Sequence, residues 1–227
     1  MIKLEFRPIR KIKRMRIEII DFIRRIRGSS SQYGEDIILA DMLRCKKNGF
    51  YIDVGANNPK TFSNTEYFYK RGFRGVNIEA NPNLIEKFFE QRPEDVNLNI
   101  GIATQIGEMD FYVLSCPFLG TFSKDVAIRF CKERNVEIKN TIKVKTMPLK
   151  IIMEKYVGDK TIDFISIDAE GYDLDVLKSA DWKKYRPEFF ILETSEDYDN
   201  LIQFMSKNNY KIVYENGTNT IFKDALN

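Results

Sequence analysis

The 227-residue sequence contains no histidine. This absence excludes the Ser-His-Asp and Cys-His nucleophiles and the zinc enzymes of the H-E-x-x-H type, because each of these needs an imidazole. The three cysteines, Cys45, Cys116 and Cys131, are too few for a four-cysteine zinc site and form no C-x-x-C pair. An odd, scattered set indicates reduced thiols in a cytoplasm, and we expect each cysteine to be buried as a small apolar side chain.

Long apolar runs are also absent. No stretch approaches the ~20 residues of a membrane span, and the basic N-terminus lacks the uninterrupted apolar core of a signal peptide. We therefore expect a cytoplasmic protein. Because 43% of the residues are hydrophobic, the chain can bury a sizeable core, which excludes a disordered chain.

Charge is distributed unevenly along the chain. Residues 1–27 carry ten Lys or Arg against three acidic residues, so the net charge of +3 leaves about −4 on the other 200 residues. Apolar residues recur at spacings of three and four, which predicts an amphipathic helix with basic faces. They are Ile12, Met15, Ile19, Ile23 and Ile26. We divide the chain into this helix, residues 1–28, and a globular domain, residues 29–227.

The apolar stripe of the N-terminal helix needs a cover. It can pack on the acidic body, pair with a second copy in a homodimer, or lie on the inner face of an anionic membrane as a peripheral contact. We favour the homodimer, in which two stripes bury each other. Nucleic acid is not expected, because no aromatic residues are interleaved with the charges and the body is acidic.

Beyond residue 31, short β-like runs alternate with helical stretches. This alternation predicts an α/β fold with a doubly wound, mostly parallel sheet. Helices are predicted at 33–46, 63–71, 82–91, 123–134, 148–156, 173–178 and 197–207, and strands at 50–54, 75–79, 96–102, 109–114, 142–145, 162–167, 189–192, 211–214 and 220–222. The last two strands flank Asn216-Gly217, which indicates a C-terminal antiparallel hairpin.

The first candidate site is the turn after strand 50–54. Asp53 and Gly55 stand at the carboxyl end of this strand, where ligands bind in open α/β sheets, and Gly55 allows a ligand to approach the backbone. Only one of the three glycines of the dinucleotide fingerprint is present, and the carboxylate repels phosphates. A cationic nucleoside without phosphate, such as S-adenosylmethionine, suits the turn better. A purely structural turn is the alternative.

Glu79 ends the next strand, 26 residues after Asp53. A carboxylate at this place can accept two hydrogen bonds from a ribose diol. The alternative is that Glu79 caps the helix that begins near Pro82, since proline is favoured at a helix start.

Asp168 and Glu193 end two further strands, and we expect Asp168 to face the same crevice as Asp53. Two such carboxylates can hold a divalent cation through oxygen ligands or take a proton from a substrate. Glu170 is a third candidate base. Glu170 and Asp173 can also simply complement the dipole of the following helix.

Five short motifs occur in the order that is typical of FkbM-type methyltransferases, and the sequence resembles this family over about residues 31–195. The motifs are SQYGED at 31–36, DVGAN at 53–57, SNT at 63–65, EANP at 79–82 and DAEG at 168–171. The resemblance implies a class I, Rossmann-like fold with a seven-stranded sheet. It also implies the use of S-adenosylmethionine for O-methylation of a sugar or a similar hydroxyl, as in polysaccharide biosynthesis.

The resemblance also implies the cofactor contacts. Asp53, Gly55 and Asn57 are expected along the methionine part and Glu79 at the ribose. The further expected cofactor residues are Gln32, Ser63, Asn64, Thr65, Ala80, Asn81, Ile102 and Asp168, with Ile102 near the adenine. Related metal-dependent enzymes carry two adjacent acidic or amide ligands where this chain has Glu193-Thr194, so Mg²⁺ or Mn²⁺ at Asp168 and Glu193 has one poorer ligand.

We therefore expect methyl transfer to an acceptor hydroxyl, with Asp168, Glu193 or Glu170 as the base, or with a cation between the first two. A methyltransferase for a protein, a nucleic acid or a small metabolite is one alternative. A catalytically idle nucleoside-binding scaffold is the other. The segment expected to contact the acceptor, about 115–141, carries no readable motif, although its aromatic residues can cap a pocket or face a sugar.

Overall fold

The computed structural model describes residues 26–195 and 197–226. The helices are α1 (Glu35–Met42), α2 (Glu66–Tyr69), α3 (Pro82–Gln91), α4 (Lys124–Glu133), α5 (Leu149–Tyr156), α6 (Asp173–Lys178) and α7 (Tyr198–Lys207), and a 3₁₀ turn spans Pro117–Leu119. The strands are β1 (Phe50–Val54), β2 (Arg74–Ile78), β3 (Val96–Leu98), β4 (Gly101–Ile102), β5 (Gly107–Leu114), β6 (Ile138–Met147), β7 (Phe164–Ile167), β8 (Phe189–Glu193), β9 (Tyr210–Glu215) and β10 (Asn219–Asp224).

The central sheet has seven strands in the order β3-β2-β1-β7-β8-β10-β9. Neighbouring strands from β3 to β8 run parallel, and β10 is antiparallel to both β8 and β9. The predicted sheet with its C-terminal antiparallel hairpin is thereby confirmed. The strand order reverses at β1, which lies between β2 and β7, so the carboxyl ends of these strands form the crevice in which such sheets bind ligands.

Alternate residues of β1 enter two different cores, because the side chains of a strand point to opposite faces. Ile52 packs with Leu149 and other residues of the helices on one face. Tyr51 packs with Phe68 and Phe164 on the other. All five residues of β1 are buried, which is the pattern of a parallel strand covered on both sides.

A second, three-stranded sheet in the order β4-β6-β5 was not predicted. The single strand expected at 96–102 is wrong, since the chain divides there into β3 and β4, which belong to different sheets. The cause is Asn99, whose side-chain amide donates to the carbonyl oxygens of Glu79 (2.9 Å) and Ala80 (3.0 Å) and turns the chain between the two strands. Phe111 and Val144 of the small sheet pack against Ala80, two residues beyond the end of β2.

Two predicted helices are shorter than expected. The helix at 33–46 ends with α1 at Met42, because Arg44 and Cys45 adopt left-handed backbone conformations with φ of 51° and 54°. The helix at 63–71 is reduced to the four residues of α2. Cys45 is exposed in the turn after α1, so the expected burial is wrong for it, whereas Cys116 and Cys131 are partly buried against an apolar cluster.

The predicted basic helix lies outside the described residues except at its end. Ile26 and Arg27 are helical, and Gly28 follows with φ of 72°. The guanidinium of Arg27 donates to both carboxylate oxygens of Asp41 (2.7 and 2.5 Å) and so ties this end to α1. Within the described parts of the chain, no helix has the length and apolar character needed to cross a bilayer.

Arg92, the residue after α3, has no solvent exposure. Its guanidinium donates to the hydroxyl oxygens of Thr65 (2.7 Å), Ser63 (2.9 Å) and Tyr51 (3.3 Å), to a carboxylate oxygen of Glu66 (3.2 Å) and to the carbonyl oxygen of Pro59. This one side chain therefore holds segment 59–66 against β1.

We expect Arg92→Met to lower the free energy of unfolding by about 3–5 kcal/mol, because the buried carboxylate of Glu66 loses its buried partner and keeps only the exposed ammonium of Lys70 (2.9 Å). Urea denaturation measures the change. The matched control is Arg74→Met, which removes a half-exposed guanidinium and should cost at most about 1 kcal/mol. Equal losses at the two positions would contradict the role given to Arg92.

Candidate active site

Two adjoining cavities open at the carboxyl ends of the central strands. The first, of about 60 Å³, lies over β1 and β2 beside the small sheet, and the second, of about 400 Å³, lies over β1, β7 and β8. Residues that line both are Gly55, Asn57, Phe118, Asp168 and Glu170. A group in the first cavity therefore lies next to a group in the second, which suits a transfer reaction between two bound molecules.

Gly55 allows the two cavities to meet. Its φ is 75°, and a Cβ at this position would lie 1.8 Å from the carbonyl oxygen of Asp168. The amides of Gly55 and Ala56 donate to the carbonyl oxygen of Ile78 (2.9 and 3.1 Å). The turn is thus compressed between β2 and the end of β7, where no other residue fits.

Left-handed backbone conformations surround the cavities at residues that rarely adopt them. Asn57, Phe62 and Glu170 have φ of 55°, 56° and 47°. Each costs about 1–2 kcal/mol relative to an ordinary conformation and persists only where the surrounding structure holds it. Three of the eight non-glycine residues with positive φ in the described parts of the chain therefore lie in the cavity walls.

Glu79 lies at the end of β2 with 5% of its surface exposed, against the first cavity. Its two carboxylate oxygens accept hydrogen bonds from the amides of Asn57 (2.9 Å) and Asn81 (2.7 Å). Burial raises the pKa of Glu79 to about 7, and these two hydrogen bonds oppose the rise. Helix α3 is capped by Asn81, whose side-chain oxygen accepts from the amide of Asn83, so the alternative of Glu79 as the cap is wrong.

Asp53 faces the second cavity from the end of β1 and is 4% exposed. Its carboxylate accepts a hydrogen bond from the Thr65 hydroxyl (2.7 Å). Burial raises the pKa of Asp53, and the Thr65 hydrogen bond and the nearby Arg92 guanidinium oppose the rise. Thr65 itself is fully buried behind Asp53 and lines neither cavity. The expected position of Thr65 in the pocket wall is corrected to a supporting one, because its hydroxyl is held between Asp53 and Arg92.

The structure places the other predicted cofactor residues around the cavities. Glu79, Ala80, Asn81 and Ile102 line the first, Gln32, Asp53, Ser63 and Asn64 line the second, and Gly55, Asn57 and Asp168 line both. They come from distant parts of the chain that meet because parallel strands end at one edge of the sheet.

The three predicted catalytic carboxylates lie together. Asp168, Glu170 and Glu193 each offer one oxygen, and these oxygens lie within 4.8 Å of one another. The Asp168 side chain opens onto the cavities, while the protein around it, followed by the negative charges of Glu193 and Glu170, raises the pKa of Asp168 well above its usual range. The Oε1 atom of Glu193 accepts from the Ser195 hydroxyl (2.8 Å), and its Oε2 atom is buried without a hydrogen-bond partner among the described residues.

The neighbouring polar residues have structural roles. Asp173 accepts from the amides of Ala169 (3.0 Å) and Gly171 (3.3 Å) and so holds the turn before α6. Burial raises the pKa of Asp173 to about 6. The Thr194 hydroxyl is buried and hydrogen-bonds to the Thr220 hydroxyl (2.8 Å). The Thr194 hydroxyl is thus engaged away from the carboxylate cluster, whose third oxygen belongs to Glu170.

Several wall residues of the second cavity were not predicted, including Arg134, Phe62, Thr218 and Asn219. A usable signal existed only for the last two, which follow the predicted Asn216-Gly217 turn. Asn219 is fixed by the buried carboxylate of Glu35, which accepts from its side-chain amide (2.7 Å) and from the backbone amide of Tyr33 (2.9 Å). The hairpin and the segment before α1 therefore form one wall.

Comparison with known proteins adds family information to this geometry. A sequence profile described as "Methyltransferase FkbM domain" matches residues 53–212. No curated protein matches the chain significantly. The matched range begins inside β1 and includes the carboxylates of the site but not the segment before α1.

Three solved structures are similar in fold. The methyltransferase FkbM from Methylobacillus flagellatus has 13% identity and a TM-score of 0.48, over 78% of this chain and 43% of that one. This chain thus spans less than half of that protein. A TehB-like SAM-dependent methyltransferase from Corynebacterium glutamicum has 10% identity and a TM-score of 0.45, over 90% and 96% of the two chains. The Burkholderia thailandensis 1,6-didemethyltoxoflavin-N1-methyltransferase, bound to 1,6-didemethyltoxoflavin and S-adenosylhomocysteine, has 11% identity and a TM-score of 0.43, over 94% and 87%.

We expect Gly55→Ala to destabilise the protein more than Gly217→Ala. Both glycines have positive φ, 75° and 93°, but a Cβ at Gly217 meets nothing within 4 Å. Gly217→Ala should therefore cost only the backbone strain of about 1–2 kcal/mol, whereas Gly55→Ala adds the collision with Asp168. Thermal and urea unfolding measure both variants. A Gly55→Ala protein as stable as the control would show that the turn can relax.

Proposed function

The chain belongs to the FkbM methyltransferase family, and on this premise we propose that it transfers a methyl group from S-adenosylmethionine to a hydroxyl of a sugar or glycan precursor. The central sheet has the class I methyltransferase fold that this family implies. One observation supports this choice of acceptor, namely the polar lining of the second cavity where it meets Asp168. The lining of the first cavity supports the choice of cofactor.

The residues that line the first cavity offer the contacts that the nucleoside part of S-adenosylmethionine needs. Glu79 keeps unused lone pairs on both oxygens for a ribose diol, and Ile102 and Phe122 offer apolar surface for the adenine. At the junction with the second cavity, the Asn57 Oδ1 atom is buried without a partner among the described residues and is suited to accept from an ammonium group. When bound, the cofactor supplies a methyl group that is already activated on a sulfonium.

The second cavity suits a polyhydroxylated acceptor. Its wall offers hydroxyl and amide groups from Gln32, Ser63, Asn64, Ser166, Ser195 and Asn219. These groups both donate and accept, as the hydroxyls of a sugar do. Phe62 and Phe118 add apolar surface to this otherwise polar lining. This lining does not form the single apolar pocket that a flat aromatic acceptor would need.

Asp168 is the proposed base, because it lines both cavities at their junction. It takes the proton of the acceptor hydroxyl as that oxygen gains the methyl group. Burial and the neighbouring carboxylates raise the pKa of Asp168, which makes its carboxylate a stronger base than a solvated aspartate. Glu193 and Glu170 contribute by holding negative charge beside it.

A divalent cation at the same three carboxylates is the second candidate for activating the hydroxyl. The oxygens of Asp168, Glu170 and Glu193 lie close enough to share one ion, and a set of carboxylates suits Mg²⁺ or Mn²⁺. These residues would hold the ion, and its charge would lower the pKa of a hydroxyl bound beside it.

We expect S-adenosylhomocysteine, the demethylated product, to raise the Tm and to bind more tightly as the pH rises from 6 to 8. The free protein has Glu79 with a pKa of about 7, and hydrogen bonds from ribose hydroxyls favour its ionised form. The pKa of Glu79 therefore falls on binding. Below pH 7 the bound ligand must displace a proton from Glu79, so the affinity decreases as the pH falls below 7. Calorimetric titration at several pH values measures this.

Glu79→Gln should weaken binding and remove the pH dependence, while Glu90→Gln on the exposed face of α3 should leave both unchanged. A pH dependence that survives in Glu79→Gln would reject Glu79 as the ribose ligand. Absence of any Tm shift with S-adenosylhomocysteine would reject the cofactor itself.

We expect Asp168→Asn to lower kcat by about 10²-fold or more, the usual loss for a general base. Transfer of radiolabelled methyl groups to a panel of free and nucleotide-linked sugars measures it, with the exposed Asp159→Asn as the control. If a cation acts, EDTA lowers turnover of the native protein and Mg²⁺ or Mn²⁺ restores it. Full activity in EDTA would show that no cation is needed and that Asp168 activates the hydroxyl as a base by itself.

A further inference from the structure

The mouth of the second cavity carries features that methyl transfer itself does not need. Its inner wall presents four carboxylates, those of Asp53, Asp168, Glu170 and Glu193, whereas Arg134 is the one cation among the described residues that line it. An anionic group is repelled by the inner wall and attracted to the position of Arg134. The charge pattern therefore orients any acceptor that is neutral at one end and anionic at the other.

Arg134 is placed to receive an anion. It directly follows α4, and its guanidinium lies over the ring of the buried Phe130, 4.4 Å from the ring centroid. Across residues 26–195 and 197–226, no carboxylate forms an ion pair with it. Arg134 is exposed, and the planar fork of a guanidinium suits the bidentate binding of phosphate.

Phe62 and Phe118 form an aromatic pair at the same mouth. Their ring centroids lie 5.6 Å apart in an edge-to-face arrangement, which joins the loop before α2 to the 3₁₀ turn. Phe62 is 54% exposed and has φ of 56°, a backbone conformation that bulky side chains rarely adopt. An exposed apolar ring that is held in a strained conformation beside a cavity is explained by a ligand surface.

We infer that the acceptor is a sugar linked to a nucleoside diphosphate. The sugar occupies the polar inner part beside Asp168, the diphosphate contacts Arg134, and the base stacks on the Phe62–Phe118 pair. This inference rests on the proposed function and specifies its substrate class. It also places the methylation before the reaction that transfers the sugar out of its nucleotide, so a glycosyl-transfer reaction consumes the product.

The test uses the full chain saturated with S-adenosylhomocysteine and uridine diphosphate as the probe. Calorimetry should show that uridine diphosphate binds and that Arg134→Gln raises its Kd about tenfold, the loss expected for a charge-assisted contact. Arg134→Lys should recover part of the affinity. The matched control is Lys132→Gln, which removes an equal charge from the exposed face of α4 outside the cavity and should leave the Kd unchanged.

The aromatic pair is tested separately. Phe62→Ala and Phe118→Ala should each weaken binding of uridine diphosphate about fivefold or more, whereas Phe89→Ala, which removes a ring of equal exposure (53%) on α3, should not. Uridine alone should respond to Phe62→Ala and Phe118→Ala but not to Arg134→Gln, whereas inorganic pyrophosphate should respond to Arg134→Gln only. In the transfer assay, nucleotide-linked hexoses should be methylated in preference to the same free hexoses.

Two results would overturn the inference while leaving the proposed function intact. One is tight S-adenosylhomocysteine binding with no uridine diphosphate binding at millimolar concentration. The other is an equal loss of affinity in Arg134→Gln and Lys132→Gln, which would show attraction by overall charge alone. Failure of S-adenosylhomocysteine to bind would instead overturn the proposed function, and this inference with it.

Discussion

The guanidinium of Arg92 lies without solvent exposure beneath the carboxyl ends of β1 and β2, and the walls of the second cavity depend on its hydrogen bonds. It compensates the buried carboxylate of Glu66 directly and lowers the pKa values of Asp53 and Asp95 by its charge, against the effect of their burial. A buried ion pair seldom stabilises a fold more than a well-packed apolar pair would. Its evident effect here is positional, because it fixes segment 59–66 and, through Thr65, the carboxylate of Asp53.

The opposite wall of the second cavity is fixed in the same way. Asp36 is fully buried and accepts from the Ser29 and Ser31 hydroxyls (2.6 and 2.9 Å) and the Ser30 amide (2.7 Å). Glu35 joins the adjoining residues to the C-terminal hairpin. Walls from three distant parts of the chain are thus each held by a buried charge. The segment 29–36 precedes the matched family range but belongs structurally to the same site.

Local signals explain what could be predicted from the sequence. Helix α3 has the predicted bounds because Asn81 and Pro82 form a complete start signal, and the strand-end carboxylates meet because parallel strands share an edge. The small sheet was missed because the turn between β3 and β4 depends on a hydrogen bond from Asn99 to residues 79 and 80. Arg92 was missed for a similar reason, since its partners lie 26 to 41 residues away in the chain. Long-range polar contacts leave no periodic pattern.

The chain has no histidine to act as a base, and the site makes a carboxylate more basic by burial and by crowding it with other carboxylates. A lone aspartate in water has a pKa of about 3.9. It is therefore too weak a base for a sugar hydroxyl. Asp168 lies beside Glu193 and Glu170 and is surrounded by protein on its other sides. These surroundings raise the pKa of Asp168, so its carboxylate binds a proton more readily. The same carboxylates give the inner wall its negative charge and leave Arg134 as the place for an anion. The acid–base character of the site and its orientation of the acceptor therefore have a single electrostatic cause.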